Sequence, residues 1–482
     1  MRRGLILNLL SNVVFFVVGY VIHYFLGNTM SAASYGIVGT IMTVLDFEYM
    51  FLSNGARQSL SKELSLRRYA IRDVVRKSML FQVVLIAVFF SINFFGAPLF
   101  AYVLNDPTLA PYFRIAAFLV PANGLFVLLL GINDGLQRFS TSALLSTIYP
   151  IAKLCVIPLI LLYFQDDPVA GMEVGYLLAL VLVIVLGCVS LYRRKDDVRS
   201  PGNVKIPFGL VIRNTLSFSI FFIMVSLVLS VDTLIVKSLV VPAAMAGYYT
   251  GAVNFGKLSY YLMTAFFTVI LPVVAKAIGE GDRSGAALRV KQFMVLVLSL
   301  ILPIPVVISA SSSNLLSAFY HPEYAVAAEA LSYLSLSSFF MGMTVMLNMV
   351  HTSFSSNRFS DLLSVISLIS VIPIFVACAK TGGITYIALA SMVCTFVTML
   401  VSLGVVVKHA GNVLTARALW AVCGSVALWF VVKAVFVLFP ITGLLQIAVA
   451  YTVIYGVYVA ILVLFGIVKL PAKMIRIKRR IS

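Results

Sequence analysis

Acidic side chains are scarce in this sequence: 17 Asp and Glu stand against 35 Lys and Arg, and all charged types together make up only 11% of 482 residues. A water-soluble fold of this length carries about a quarter charged residues, so that class is excluded. Long polar stretches are missing as well. Apolar residues are 61% of the chain and gather in runs of roughly twenty or more, the length a helix needs to cross hydrocarbon. Cysteine occurs five times, at 155, 188, 378, 394 and 423, with no CxxC and no histidine beside it. The four histidines, His23, His321, His351 and His409, are dispersed. No metal site and no disulfide framework is expected, and the cysteines read as small residues of apolar spans.

What is there is an all-α polytopic membrane protein. About fourteen transmembrane helices are expected, beginning near Leu5, Tyr35, Met79, Tyr112, Ser140, Gly171, Phe208, Met245, Lys291, Ala327, Ser360, Ile384, Ala416 and Gly443. Pro150 and Pro158, and again Pro303 and Pro305, fall inside apolar runs and predict kinks. Arg2 and Arg3 ahead of the first run imitate a cleavable signal, but the run is too long for a signal core. The net charge of +18 is not a nucleic-acid signature. With both termini cytoplasmic, all but six of the Lys and Arg fall in cytoplasmic segments or helix ends, from Arg2 and Arg3 to the tail beyond Lys469, which is the positive-inside bias. Anionic phospholipid headgroups are the polyanion this implies. The segments Arg57 to Lys77 and Lys469 to Arg480 mix apolar residues with cations as surface-lying helices do, and solvated positive-inside flanks would account for either.

The chain matches itself at an offset of roughly 213 to 220 residues. Tyr35-Gly36 and Gly39 fall against Tyr248-Tyr249 and Gly251, Arg57 falls against Lys276, and Arg138-Phe139-Ser140 falls against Arg358-Phe359-Ser360. Six spans per copy is an even number, so both copies share one orientation and are related about the membrane normal. The expected organisation is a six-helix lobe over 1–205, a second over 206–415, an extra helix pair over 416–468 and a basic cytoplasmic tail over 469–482. The stretch Arg193 to Lys205, with Pro201-Gly202, has the composition of a linker.

Ionisable groups at lipid depth are costly, about 2.5–3.5 kcal/mol each at mid-span, and so mark interior or wet positions. Lys257, one turn beyond Asn254 and on much the same face, and Lys153 between Pro150 and Pro158 are the mid-depth cations. Asp46 and Glu48 lie half-way along the second span, two residues apart and hence on different faces, and Asp46 is either a coupling-ion or proton site or the structural partner of a buried lysine such as Lys153. Asp232 lies in the outer third of the seventh span, imperfectly spaced for a pair with Lys237, and Arg57 ends the second span.

At Tyr35-Gly36, at Leu136-Gln137-Arg138-Phe139, and above all at Val231-Asp232-Thr233-Leu234-Ile235-Val236-Lys237 followed by Gly247-Tyr248-Tyr249, the sequence resembles the multidrug/oligosaccharidyl-lipid/polysaccharide superfamily, in its polysaccharide-export branch. The resemblance runs over essentially the whole chain. It implies a V-shaped two-lobe fold in a bacterial or archaeal plasma membrane. A central cationic cavity would receive an undecaprenyl-pyrophosphate-linked oligosaccharide and turn it across the membrane by alternating access. Lys257, Lys153, Asn254 and Arg57 are then the expected substrate contacts, lysine and arginine serving the pyrophosphate. Asp46, Glu48 and Asp232 are expected as coupling or structural acids. No cofactor is expected beyond a coupling proton or sodium ion, the expected state is a monomer, and polymerase or export machinery would be its partner. A first helix offering only Asn8, Asn12 and His23 as polar groups departs from the cavity arginines of the related peptidoglycan-precursor flippases. The rival readings are a drug/cation antiporter of the same superfamily, which calls for an acid-dominated cavity, and a membrane glycan polymerase or ligase. The latter needs an outer catalytic loop that 105–111 and 311–324 do not supply.

Overall fold

The structure is a computed structural model that describes residues 2–66, 68–192, 204–354, 358–439 and 441–467. The expected linker falls almost wholly outside the described residues, and the basic tail 469–482 entirely so. Every regular element described is helical: α1 (Arg2–Thr29), α2 (Ala32–Met50), a π-helical turn (Phe51–Arg57), α3 (Gln58–Leu66), α4 (Ile71–Val103), α5 (Leu109–Ala116), α6 (Leu119–Gly135), α7 (Phe139–Lys153), α8 (Val156–Tyr163), α9 (Pro168–Tyr192), α10 (Phe208–Val228), α11 (Val231–Leu239), α12 (Ala244–Gly256), α13 (Leu258–Gly279), α14 (Arg283–Leu300), α15 (Pro303–Ala310), α16 (Ser312–Phe319), α17 (Ala328–Phe354), α18 (Arg358–Ala410), α19 (Ala416–Leu438) and α20 (Leu444–Leu464). Eleven helical stretches among the described residues are long and apolar enough to cross a membrane. Of these, 358–410 holds two helices, because Gly382 and Gly383 leave helical geometry and Gly383 takes φ +61°, a left-handed turn that glycine allows. The segments 208–239 and 244–279 are helical too, as α10–α11 and α12–α13, and stand outside that count.

The helices are turned inside out relative to those of a soluble protein. On α4 the positions 82, 86, 89, 93 and 97 follow the helical repeat and are buried, and two of them are Gln82 and Asn93. The opposite face, with Val84, Val88, Ile92, Phe95 and Leu99, is exposed and apolar, as lipid requires. Between helices, hydroxyls and amides replace the hydrophobic drive that lipid removes. Ser337 bonds Ser391 at 2.8 Å, Thr395 bonds Ser337 at 3.1 Å, and Ser402 bonds Asn348 at 3.1 Å, tying α17 to the second half of α18. Ser367 and Thr398, 3.4 Å apart, face each other across the Gly382–Gly383 turn. The expected proline kinks appear as breaks. α7 runs through Pro150 and ends one residue before Leu154, itself four residues before Pro158, and α14 ends one residue before Ile301, itself four residues before Pro305. At that distance the proline ring meets the carbonyl and withholds a hydrogen bond.

Packing divides the chain into two compact units, 1–247 and 248–482, later than the repeat does. The reason is that α10 and α11 are fastened to the first unit at both ends. At one end the Val204 carbonyl accepts from Ala70 N at 2.9 Å, and Asp73 accepts from Ile206 N at 2.8 Å and pairs with Lys77 at 2.9 Å. There too Asn214 donates to Glu63 at 2.9 Å. At the other end Lys237 meets Asp106 at 2.6 Å, and Asn105 donates to the Ser238 carbonyl at 2.9 Å. The amphipathic reading of 57–77 needs correction here. Leu60 and Leu64 lie in a core with Val74, Leu128, Ile132, Ile206 and Val211, so that face meets protein rather than lipid.

Two close approaches depend on glycine. A Cβ on Gly36 would stand 2.7 Å from Gly247 N, and one on Gly247 would stand 1.8 Å from the Ala32 carbonyl oxygen. Gly247→Ala therefore forces backbone apart and is expected to cost about 1–3 kcal/mol, visible as a lowered unfolding temperature of the purified protein.

Asp106, in the loop between α4 and α5, offers a pH test. Burial pushes its carboxyl up, but Lys237 and Thr108 outweigh this and hold it below the usual carboxylate value. A folded-state value below the unfolded one adds stability that is present above about pH 4 and is lost as pH falls through the lowered value. Asp106→Asn should lose about 2 kcal/mol at neutral pH, less than full burial would give because a fifth of the side chain meets water. Melting curves of wild type and variant should converge as the pH is lowered.

Candidate functional site

In the first unit, one polar cluster gathers on α1, α2, α7 and α9. Lys153 is the last residue of α7, where unpaired carbonyls favour a cation. Its ammonium lies 3.9 Å from the ring centre of Tyr176 and 4.8 Å from that of Tyr149, with Phe15 at 6.0 Å. The exposed Asp46 carboxylate acts electrostatically on Lys153, on Tyr149 and on Tyr176. His23 is within electrostatic reach of Lys153, and its Nδ1 is hydrogen-bonded to the buried Tyr35 hydroxyl at 2.9 Å. Lys153 and Asp46 are thus brought together, inside a ring of aromatic side chains.

Glu48, two residues from Asp46, points elsewhere. It is buried and accepts from Asn93 Nδ2 at 2.6 Å. A further acid, Glu173 on α9, is wholly buried with neither carboxyl oxygen hydrogen-bonded among the described residues. Arg57, at the end of the π-helical turn, gives Nε at 3.0 Å and Nη2 at 2.7 Å to one oxygen of Asp134 on α6. Asp232 is buried in the first turn of α11, where Oδ1 accepts from Thr233 N at 2.7 Å. The partner of Lys237 is Asp106, not Asp232.

In the second unit, Lys257 occupies the break between α12 and α13, half-buried. Its side chain makes no ion pair or hydrogen bond among the described residues. Gly256 beside it is pressed against Leu334, where a Cβ would come within 2.9 Å, which fixes the break against α17. One turn earlier Asn254 reaches the Tyr320 hydroxyl at 3.4 Å, and Tyr320 stacks on Tyr324 at 4.6 Å. The side chains of Lys257 and Asn254 therefore differ: one amide is engaged, one ammonium is unengaged.

Sequence reasoning missed Asn93, Tyr149, Tyr176 and Glu173. Tyr149 had a signal, since it precedes Lys153 by four residues on one helix. Asn93 had a weaker one, as the polar member of an inward stripe with Gln82. Tyr176 and Glu173 meet the site only through the fold. The fold also joins His351 and His409, whose rings lie 5.1 Å apart although the sequence separates them widely.

A family model described as polysaccharide biosynthesis protein matches residues 1–278, more than half of the chain. The chain belongs to the polysaccharide biosynthesis protein family. A second model, MatE, matches residues 218–377 of this family member, and no curated protein matches it. Among solved structures, the lipid II flippase MurJ in an inward closed conformation is similar to it at 15% identity, with a TM-score of 0.68 over 95% of this chain and 98% of that one. An inward-facing multidrug resistance MATE family transporter of the MOP superfamily is 13% identical, with a TM-score of 0.64 over 86% and 94%. A MOP superfamily transporter from Pyrococcus furiosus is 14% identical, with a TM-score of 0.57 over 83% and 92%. These likenesses give the polysaccharide biosynthesis protein its fold, that of multi-pass membrane transporters of the multidrug/oligosaccharidyl-lipid/polysaccharide superfamily.

Proposed function

We propose that this protein is a flippase that carries an undecaprenyl-pyrophosphate-linked oligosaccharide across the plasma membrane for polysaccharide export. The observation that carries the reading is Lys257, a half-buried lysine at a helix break whose side chain has no ion pair or hydrogen bond among the described residues. Such a half-buried lysine is suited to receive an anionic group, and a pyrophosphate is the anion on such a lipid. Membership of the polysaccharide biosynthesis protein family supports the sugar cargo. Lys153, already flanked by Asp46 and aromatic rings, is the less available cation, and Arg57 is held by Asp134. Both are therefore assigned secondary parts in this reading.

The second reading, a drug/cation antiporter, draws on the buried acids Glu48 and Glu173. The two separate in one experiment. Lys257→Ala should abolish surface polysaccharide in cells that depend on this protein, while the amount of protein in the membrane stays normal. Lys153→Ala should reduce export less. Normal export with both substitutions removes the cationic route, and drug extrusion lost together with unchanged polysaccharide would favour the antiporter.

A further inference from the structure

We propose that His351 and His409 form a binding site for a borderline transition-metal ion, of the class of Zn²⁺, Cu²⁺ and Ni²⁺. The site lies within the second unit, where the end of α17 meets the end of α18, and it does not depend on the flippase reading. α17 and the second half of α18 run side by side in one direction, since Ser337 meets Ser391 and Asn348 meets Ser402 at the same separation of 54 residues. His351 stands three residues beyond Asn348 and His409 seven beyond Ser402, so each keeps to the face that lines this seam. A seam filled by hydroxyls and an amide along its length thus closes on a pair of imidazoles. Dispersed in the sequence, the two meet only in the fold.

Their rings stand 5.1 Å apart, centre to centre, at an interplanar angle of 40°. Two imidazoles on one tetrahedral ion have centres about 5 Å apart, because each metal–nitrogen bond is about 2 Å long and a ring nitrogen lies about 1 Å from its ring centre. Aromatic packing alone allows the same spacing, so the nitrogens must decide between the two. His351 is 4% exposed, and its Nδ1 is buried with no hydrogen-bond partner. Buried polar atoms are matched as a rule, and a histidine placed only for packing would spend its nitrogens on nearby carbonyls or hydroxyls. Here neither ring makes a hydrogen bond among the described residues. Phenylalanines orient them instead: Phe359 stands edge-on to His351 at 5.2 Å, and Phe354 stacks on His409 at 6.2 Å. Ring nitrogens left unspent between apolar walls are free to bind a metal.

The donors select the ion. Imidazole suits zinc, copper and nickel, whereas magnesium and calcium ask for oxygen ligands. No third His, Cys, Asp or Glu joins the pair among the described residues, so water completes the coordination on the side of His409, which is exposed. Two protein ligands make an exchangeable site, unlike the closed set of four that holds a structural zinc. An ion bound here joins the end of α17 to the end of α18 at the place where the seam has no hydrogen bond of its own.

The test uses the full-length protein purified without a histidine tag. With Cu²⁺ as the probe, electron paramagnetic resonance should show one bound copper split by two imidazole nitrogens. His409→Ala, a change at an exposed position, should lose one of the two, and His351→Asn should lose the other. Added Zn²⁺ should raise the unfolding temperature of the wild type and leave that of either variant unmoved, because an ion held only by the folded state stabilises it by mass action. Copper without a two-nitrogen splitting in the wild type, the same splitting in His409→Ala, or an equal Zn²⁺ shift in wild type and variants overturns the proposal and leaves two packed rings. Should His351→Asn fail to fold, the wild-type spectrum and His409→Ala still decide.

Discussion

The absence of water around most of this chain is the constraint from which the rest follows. In lipid a polar group has no solvent to fall back on, so every amide, hydroxyl and charge must be turned inward or matched. α4 shows the effect on a single element: Gln82 and Asn93 on the buried stripe, valines, isoleucine, phenylalanine and leucine on the open side. The serine and threonine contacts between α17 and α18 show it between elements. Once matching is compulsory, any polar group that remains unmatched is conspicuous. Lys257, and Glu173 with neither carboxyl oxygen hydrogen-bonded among the described residues, stand out for that reason.

The same rule explains why α10 and α11 pack with the first unit. Their ends carry the polar atoms, and those atoms are met by Asp73, Glu63 and Asp106. The sequence repeat puts these helices at the opening of its expected second copy, whereas hydrogen bonding fastens them to the first unit. Family descent and mechanical unit need not share a boundary.

Much of the fold was legible in the sequence because the membrane writes a coarse code. Run length gave helices, prolines at 158 and 305 gave breaks, and the match of Arg138-Phe139 to Arg358-Phe359 located the starts of α7 and α18. The site was less legible. That Asp46 and Glu48 diverge follows from helical geometry, and Lys153 was one partner the sequence offered Asp46, but that Glu48 would face Asn93 depends on how α2 lies against α4. Asp232 and Lys237 looked like an imperfect pair, and the better partner for the lysine lay in a loop more than a hundred residues upstream. Leu60 and Leu64 misled for a related reason: an amphipathic face fits a protein core as well as a lipid surface, and only packing decides.

The two-glycine turn at Gly382–Gly383 bears on how the chain is made. Its arms, from Arg358 and back to Ala410, are joined by a connection too short to hold either arm in water while the other is placed. An arm inserted alone would drag the start of its neighbour into hydrocarbon with its hydroxyls unmatched, Ser367 apart from Thr398. The hairpin is therefore complete only when both arms are in place, each supplying the partner that the other's hydroxyl needs.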